Sequence, residues 1–175
     1  MTRIAACAGL LAAFAAGPRP LECPPGTSRA GDPPPAGNAE WCERPGPDGK
    51  PRRHGPGREY YELDLVRVEA SWADGQLHGP WVELHRDGTR AVVGQYRDGE
   101  KDGAWVYRYE SGRIEEEVTF DRGRRHGPFA SYWPNGRKKA EGRFCFGFQC
   151  GRWTSWSEEG VELGTITYEE IRGTP

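Results

Sequence analysis

Along the C-terminal two-thirds of the chain, short runs such as PWVELH, AVVGQY, WVYRY and IEEEVTF alternate with polar breaks that contain glycine. The runs are five to seven residues long and rich in Val, Ile, Tyr, Trp and Thr, so they predict strands and are too short for helices. The breaks read RDGT, ESGR, PNGR and EEGV at one end and ADGQ, RDGE and DRGR at the other. In most of them glycine follows Asp, Asn or Ser, the chemistry of tight hairpin turns that need positive φ.

The pattern repeats. Gly75, Gly99, Gly123 and Gly147 stand 24 residues apart, as do Gly79, Gly103, Gly127 and Gly151, and Gly88, Gly112, Gly136 and Gly160. Trp81, Trp105, Phe129 and Trp153 keep the same step, and so do Trp72, Tyr96, Phe120, Phe144 and Tyr168. Four uninterrupted units at a fixed period mark a repeat protein. A degraded fifth unit precedes them, with His54-Gly55-Pro56 standing 24 residues before His78-Gly79-Pro80 and Tyr60-Tyr61 the same step before Leu84-His85.

Parity extends this to pairing. A two-residue turn at Asp87-Gly88 sets Trp81 across from Gly94 and Gly79 across from Tyr96; a turn centred on Gly99-Glu100 sets Tyr96 across from Gly103 and Gly94 across from Trp105. Both turns put Trp81, Val92, Gly94, Tyr96, Trp105, Val118, Phe120, Phe129, Phe144, Trp153, Ile166 and Tyr168 on one face, with rings over glycines of neighbouring strands. The same arithmetic two repeats later sets Cys145 directly opposite Cys150. The expected fold class is all-β, an antiparallel meander of tandem 24-residue β-hairpin repeats with nine or ten strands over residues 57–172. What covers the aromatic face, a curl of the sheet or nothing, is left open.

The N-terminal part reads differently. Arg3 followed by a small and apolar run ending in Ala13-Phe14-Ala15 predicts a signal peptide over residues 1–15. Residues 18–56 hold eleven of the fifteen prolines, so 16–56 is expected to be a Pro/Gly-rich linker with a candidate disulfide loop. With Cys7 removed in the leader, Cys23, Cys42, Cys145 and Cys150 remain, an even number in an oxidising compartment. Sequence distance favours Cys23 with Cys42 and Cys145 with Cys150, and Trp41 offers the first loop a packing partner. Zinc is the rival reading, without a CxxC to carry it.

Composition narrows the function classes. The formal charge is -2, which provides no global basic field for nucleic acid, and no apolar run approaches the roughly 20 residues of a transmembrane segment. His54, His78 and His126 share a repeat position completed by Asp102 and Cys150, but equivalent residues two strands apart are about 9.6 Å distant, too far to share a metal ion. His85 stands alone. The acidic run Glu115 to Glu117 and the basic patches Arg124-Arg125 and Arg137-Lys138-Lys139 read as solvated surface. No nucleophile, metal or nucleotide motif occurs, so no catalytic, cofactor-binding or metal-binding residue is assigned.

Units such as YRDGEKDGAWVYRYESG and FDRGRRHGPFASYWPNG resemble the MORN repeat, more closely its variant form in YwqK-family antitoxin-like proteins. The likeness covers about residues 70 to 170, and Trp81, Trp105, Phe129 and Trp153 replace the second glycine of the ordinary unit. The resemblance implies a β-hairpin binding platform without catalysis. Tyr107, Tyr109, Tyr132, Trp133 and Trp156 depart from strict repetition and are the candidate binding residues. The expected function is an exported, non-enzymatic scaffold that binds protein in the cell envelope or outside the cell. A cell-wall polysaccharide or glycan module and an immunity protein against an exported toxin are the alternatives.

Overall fold

The computed structural model describes residues 20–169 apart from residue 63, so the leader expected over 1–15 lies outside the described residues. Twelve strands follow one another: β1 (Ser28–Asp32), β2 (Ala39–Pro45), β3 (Pro51–Tyr60), β4 (Val66–Ala73), β5 (Gln76–Leu84), β6 (Arg90–Arg97), β7 (Glu100–Arg108), β8 (Ile114–Asp121), β9 (Arg124–Tyr132), β10 (Lys138–Cys145), β11 (Phe148–Trp156) and β12 (Glu162–Tyr168). They form one antiparallel sheet in chain order, each strand pairing with its sequence neighbours. The fold class is the expected all-β meander: β4 to β12, with β3 across the boundary at 57, match the nine or ten strands anticipated for the repeat domain, and further strands precede them.

The extra strands come from the segment expected to be a linker. Residues 28–32, 39–45 and 51–60 are strand, and the boundary set at 57 falls inside β3. Prolines did not prevent this because they sit in the β1–β2 turn at Pro33 to Pro35, at strand termini, Pro45 and Pro51, and, for Pro56 within β3, at the β2–β3 bulge, where a missing N–H costs least. Trp41 packs against the disulfide loop as expected: it lies across β1, which belongs to that loop, where a Cβ on Gly31 would come within 2.6 Å of its ring, on the face opposite Cys42.

Two kinds of turn alternate. At one end Asp74, Asp98, Arg122 and Phe146 take φ of 50, 51, 46 and 52° before Gly75, Gly99, Gly123 and Gly147, the paired positive φ of a type I′ hairpin. The glycine N–H of each turn then donates to the previous hairpin, Gly99 to the Leu77 carbonyl at 2.8 Å and Gly123 to Lys101 at 2.9 Å. At the other end the loops are longer than expected. His85 N donates to the Thr89 carbonyl and Gly88 N to the His85 carbonyl, leaving three residues between them, with Gly88 at φ 83°. The register slips there between Glu83 and Leu84, and this bulge restores the expected pairs Trp81↔Gly94 and Gly79↔Tyr96.

The other expected register is corrected. The turn is Asp98-Gly99, one residue earlier than supposed, so Tyr96 pairs with Lys101 instead of Gly103. A bulge between Val93 and Gln95 sets three residues, Gly103 to Trp105, against Gly94 and brings the ladder back to Val92↔Tyr107. The same geometry recurs two units later, where Cys150 opposes Arg143 and Cys145 opposes Phe148. The Cys145–Cys150 disulfide therefore forms on a diagonal, with Cα atoms 5.7 Å apart, and Cys23–Cys42 forms at 5.5 Å.

The aromatic face is real and its cover is now visible. Trp81 and Tyr96 meet at 5.4 Å, Tyr96 and Trp105 at 5.2 Å, and Trp105 and Phe120 at 6.0 Å. Phe129, Phe144 and Trp153 form a second cluster at 5.0 to 5.4 Å, with Tyr168 at its end. Val118, paired with both Trp105 and Phe129, is buried between the two clusters. Trp105 is 1% exposed although no second layer covers it among the described residues. Lys101 stretches over its ring at 4.1 Å and donates to the Tyr107 hydroxyl at 2.8 Å. Arg53 over Trp41 and Trp72, and Arg125 over Phe129 and Phe144, occupy the same repeat position. Arg125, read as solvated surface, is thus part of this lid. On the terminal strand, where no further strand supplies cover, Ile166 is 60% exposed.

Gly94 and Asp64 test the packing and the turns with opposite signs. A Cβ on Gly94 would come within 2.2 Å of the Trp105 ring. Gly94→Ala should therefore cost about 1–3 kcal/mol in denaturant unfolding. Asp64 holds φ of 66° in the degraded unit, at the position that is Gly88 in the next. Asp64→Gly should raise stability by about 0.5 kcal/mol.

Candidate functional site

Strand alternation gives the sheet a second face, opposite the rings. Along β7 to β12 that face is a groove of about 830 Å³. Its floor is made of small side chains, Ala104, Val106, Thr119, Pro128 and Ala130, and its walls carry Glu117, Glu141, Arg143, Arg152, Trp156 and Glu162. The acids are engaged. Tyr132 donates to Glu117 at 3.0 Å, Lys138 is ion-paired with Glu141, and Thr165 donates to Glu162 at 3.2 Å. Burial first, and then the Glu117 carboxylate, raises the Tyr132 pKa above the ordinary tyrosine value.

The five candidate aromatics are not brought to one patch. Trp156 lines the groove and Tyr132 bonds one of its walls. Tyr107 lies on the opposite face, 6.3 Å from Trp105. Tyr109 and Trp133 sit in the loops after β7 and β9, outside the groove. Their polar atoms bond the next unit: Tyr109 Oη donates to the Tyr132 carbonyl at 2.8 Å, and Trp133 Nε1 to the Trp156 carbonyl at 3.0 Å. Tyr61 does the same to the Leu84 carbonyl at 2.8 Å, and His85 Nε2 lies 3.1 Å from the Arg108 carbonyl. Tyr61, His85, Tyr109 and Trp133 are thus one column, 24 residues apart, that stitches successive hairpins together. Three kinds of polar ring at its four positions hid that column in the sequence, and His85, read as isolated, belongs to it.

The shared histidine position has a structural task as well. His54, His78 and His126 accept through Nδ1 from the N–H of Asp74, Asp98 and Phe146, at 3.3 to 3.4 Å, the first turn residue of the next hairpin. Among the described residues no three His, Cys, Asp or Glu side chains are placed to hold one metal ion.

At the N-terminal end the same face is occupied. The Cys23–Cys42 disulfide ties the segment before β1 to β2, and Leu21, 9% exposed, lies among Pro56, Arg58, Glu69, Ser71, Pro80 and Val82. Nearby, Glu40 is buried, ion-paired with Arg29 at 2.7 Å and hydrogen-bonded by Tyr60. Sequence reasoning missed Leu21 and Glu40 because the segment looked like linker, and gave Tyr60 only as part of the degraded unit; the alternation Glu40, Cys42 against Trp41 was the available signal.

With that geometry in view, comparison with known families adds one finding. Residues 101–122, which take in β7 from its second residue, β8 and the first residue of the turn after it, match the family model of the MORN repeat variant. The resemblance read from the sequence holds for this unit. No curated protein matches the chain.

The Tyr60 cluster gives a pH signature. Burial first, then the Glu40 carboxylate, pushes the Tyr60 pKa up to about 12. The folded state therefore holds this proton more tightly than the unfolded chain, whose tyrosines titrate near 10. The stabilisation is complete below about pH 10 and is lost as the pH rises toward 12. Denaturant midpoints measured across that window should fall more steeply for the native chain than for Tyr60→Phe; parallel slopes would contradict the assignment.

Proposed function

We propose that this chain, which carries the MORN repeat variant, is an exported, non-enzymatic scaffold that binds a protein partner in the cell envelope or outside the cell. The observation that carries the reading is the open groove on the face of β7 to β12 opposite the stacked rings. There β7 to β11 are paired with a strand on either side, so side chains make most of the surface left to meet a ligand. A sheet whose rings and cross-hairpin bonds make its own structure presents a stiff surface, and stiffness reduces the entropy lost on binding. Two disulfides are consistent with an oxidising compartment, which supports export. No helix of the described residues is long and apolar enough to cross a membrane.

Trp156 and Tyr132 at the groove keep a glycan reading in contention, since rings stack on sugars as well as on peptide groups. The immobilised, disulfide-bonded chain should enrich one envelope protein from extract and pass freely through purified peptidoglycan and capsular polysaccharide. Retention on the polymers without an enriched protein would replace the scaffold reading by the glycan one.

A further inference from the structure

The groove and the Leu21 site are the same surface at two places in the repeat. Pro56, Arg58, Glu69, Ser71, Pro80 and Val82 surround Leu21, and their counterparts 48 residues on are Ala104, Val106, Glu117, Thr119, Pro128 and Ala130. Every one of those six counterparts lines the open groove. In the first place the chain's own Leu21 segment, which precedes β1, is seated, held by Cys23–Cys42; in the second the surface is open. Resting on the scaffold reading above, we propose that the open groove docks an extended peptide of a partner protein. That peptide places a large apolar side chain on the Ala104, Val106 and Ala130 floor and a carboxylate beside Arg143 and Arg152.

The substitutions between the two places set the chemistry. Arg58 becomes Val106, Val82 becomes Ala130 and Pro56 becomes Ala104, so the floor is more apolar and shallower in side-chain bulk, with room for an anchor at least as large as leucine. The charges set the sign. Glu117 and Glu141 already have partners, whereas Arg143 and Arg152 are exposed on the groove wall and meet no carboxylate among the described residues. A ligand carboxylate would complete them with charge-assisted hydrogen bonds. A second copy's Leu21 segment is not the occupant chosen, because a disulfide fastens that segment to its own β2.

The test is selection of the intact, disulfide-bonded chain against a random dodecapeptide display library, followed by fluorescence anisotropy with the selected peptides resynthesised. Selected peptides should share an aliphatic or aromatic residue next to Asp or Glu. Val106→Arg gives this position the side chain that the fold already carries at Arg58, so folding is retained; it should weaken binding at least tenfold. Arg143→Glu combined with Arg152→Glu should do the same. The proposal is overturned if no peptide is selected, if selected peptides bind both variants unchanged, or if the arginines serve only to bind phosphatidylglycerol vesicles. Envelope capture that survives both variants would leave the scaffold reading standing and remove the groove from it. Peptide binding without envelope capture would do the reverse.

Discussion

A single-layer sheet has no opposing layer in which to bury its apolar side chains, so large rings have to find cover within the sheet itself. Here they do so by lying across glycine. Trp105 covers Gly94 and Trp153 covers Gly142, each ring so near that an added Cβ would come within 2.2 or 2.3 Å of it. A buried ring contributes on the order of 3 kcal/mol, whereas the lysine or arginine above it adds about 0.5–1 kcal/mol. Ring against backbone is therefore the main term, and the cation lid the smaller one that completes the exclusion of water. The same bulge recurs in each unit, opposite Ser71 and Thr119 as well, and where it faces Gly94 and Gly142 it brings the indole over the bare backbone.

Since the rings take one face and the cross-hairpin bonds of Tyr61, His85, Tyr109 and Trp133 take the loop end, the opposite face is left to vary. At its N-terminal end the chain covers that face with its own Leu21 segment. Toward the C-terminal end the surface stays open, and there its side chains shrink to Ala and Val while Arg143 and Arg152 line the rim. A repeat scaffold separates in this way the positions that hold the sheet from those free to recognise something.

Much of the fold could be read from the chain because glycine and aromatic columns kept an unbroken 24-residue step, and strand parity then assigned the faces. The register was harder. Asp98-Gly99 and Gly99-Glu100 are both plausible turns by residue type, and the two-residue bulge that distinguishes them leaves parity unchanged. The strands of the Pro-rich segment were hidden for another reason: prolines at turns and strand ends look the same in composition as prolines in a linker. The site was least legible. Tyr109 and Trp133 vary in type while keeping one bonding role, so variation within a column proved to be a poor marker of ligand contact. The floor of the groove is built of Ala, Val, Thr and Pro, which announce nothing one at a time.

If ring-on-glycine contacts hold the sheet unit by unit, damage to one of them should stay near it, as in other quasi-one-dimensional repeats. Amide hydrogen exchange of Trp105→Ala against the native chain measures this directly. Protection should fall in β6 to β8 and persist in β2 to β4 and in β10 and β11. Uniform loss over all twelve strands, or unchanged protection around the missing ring, would contradict the account.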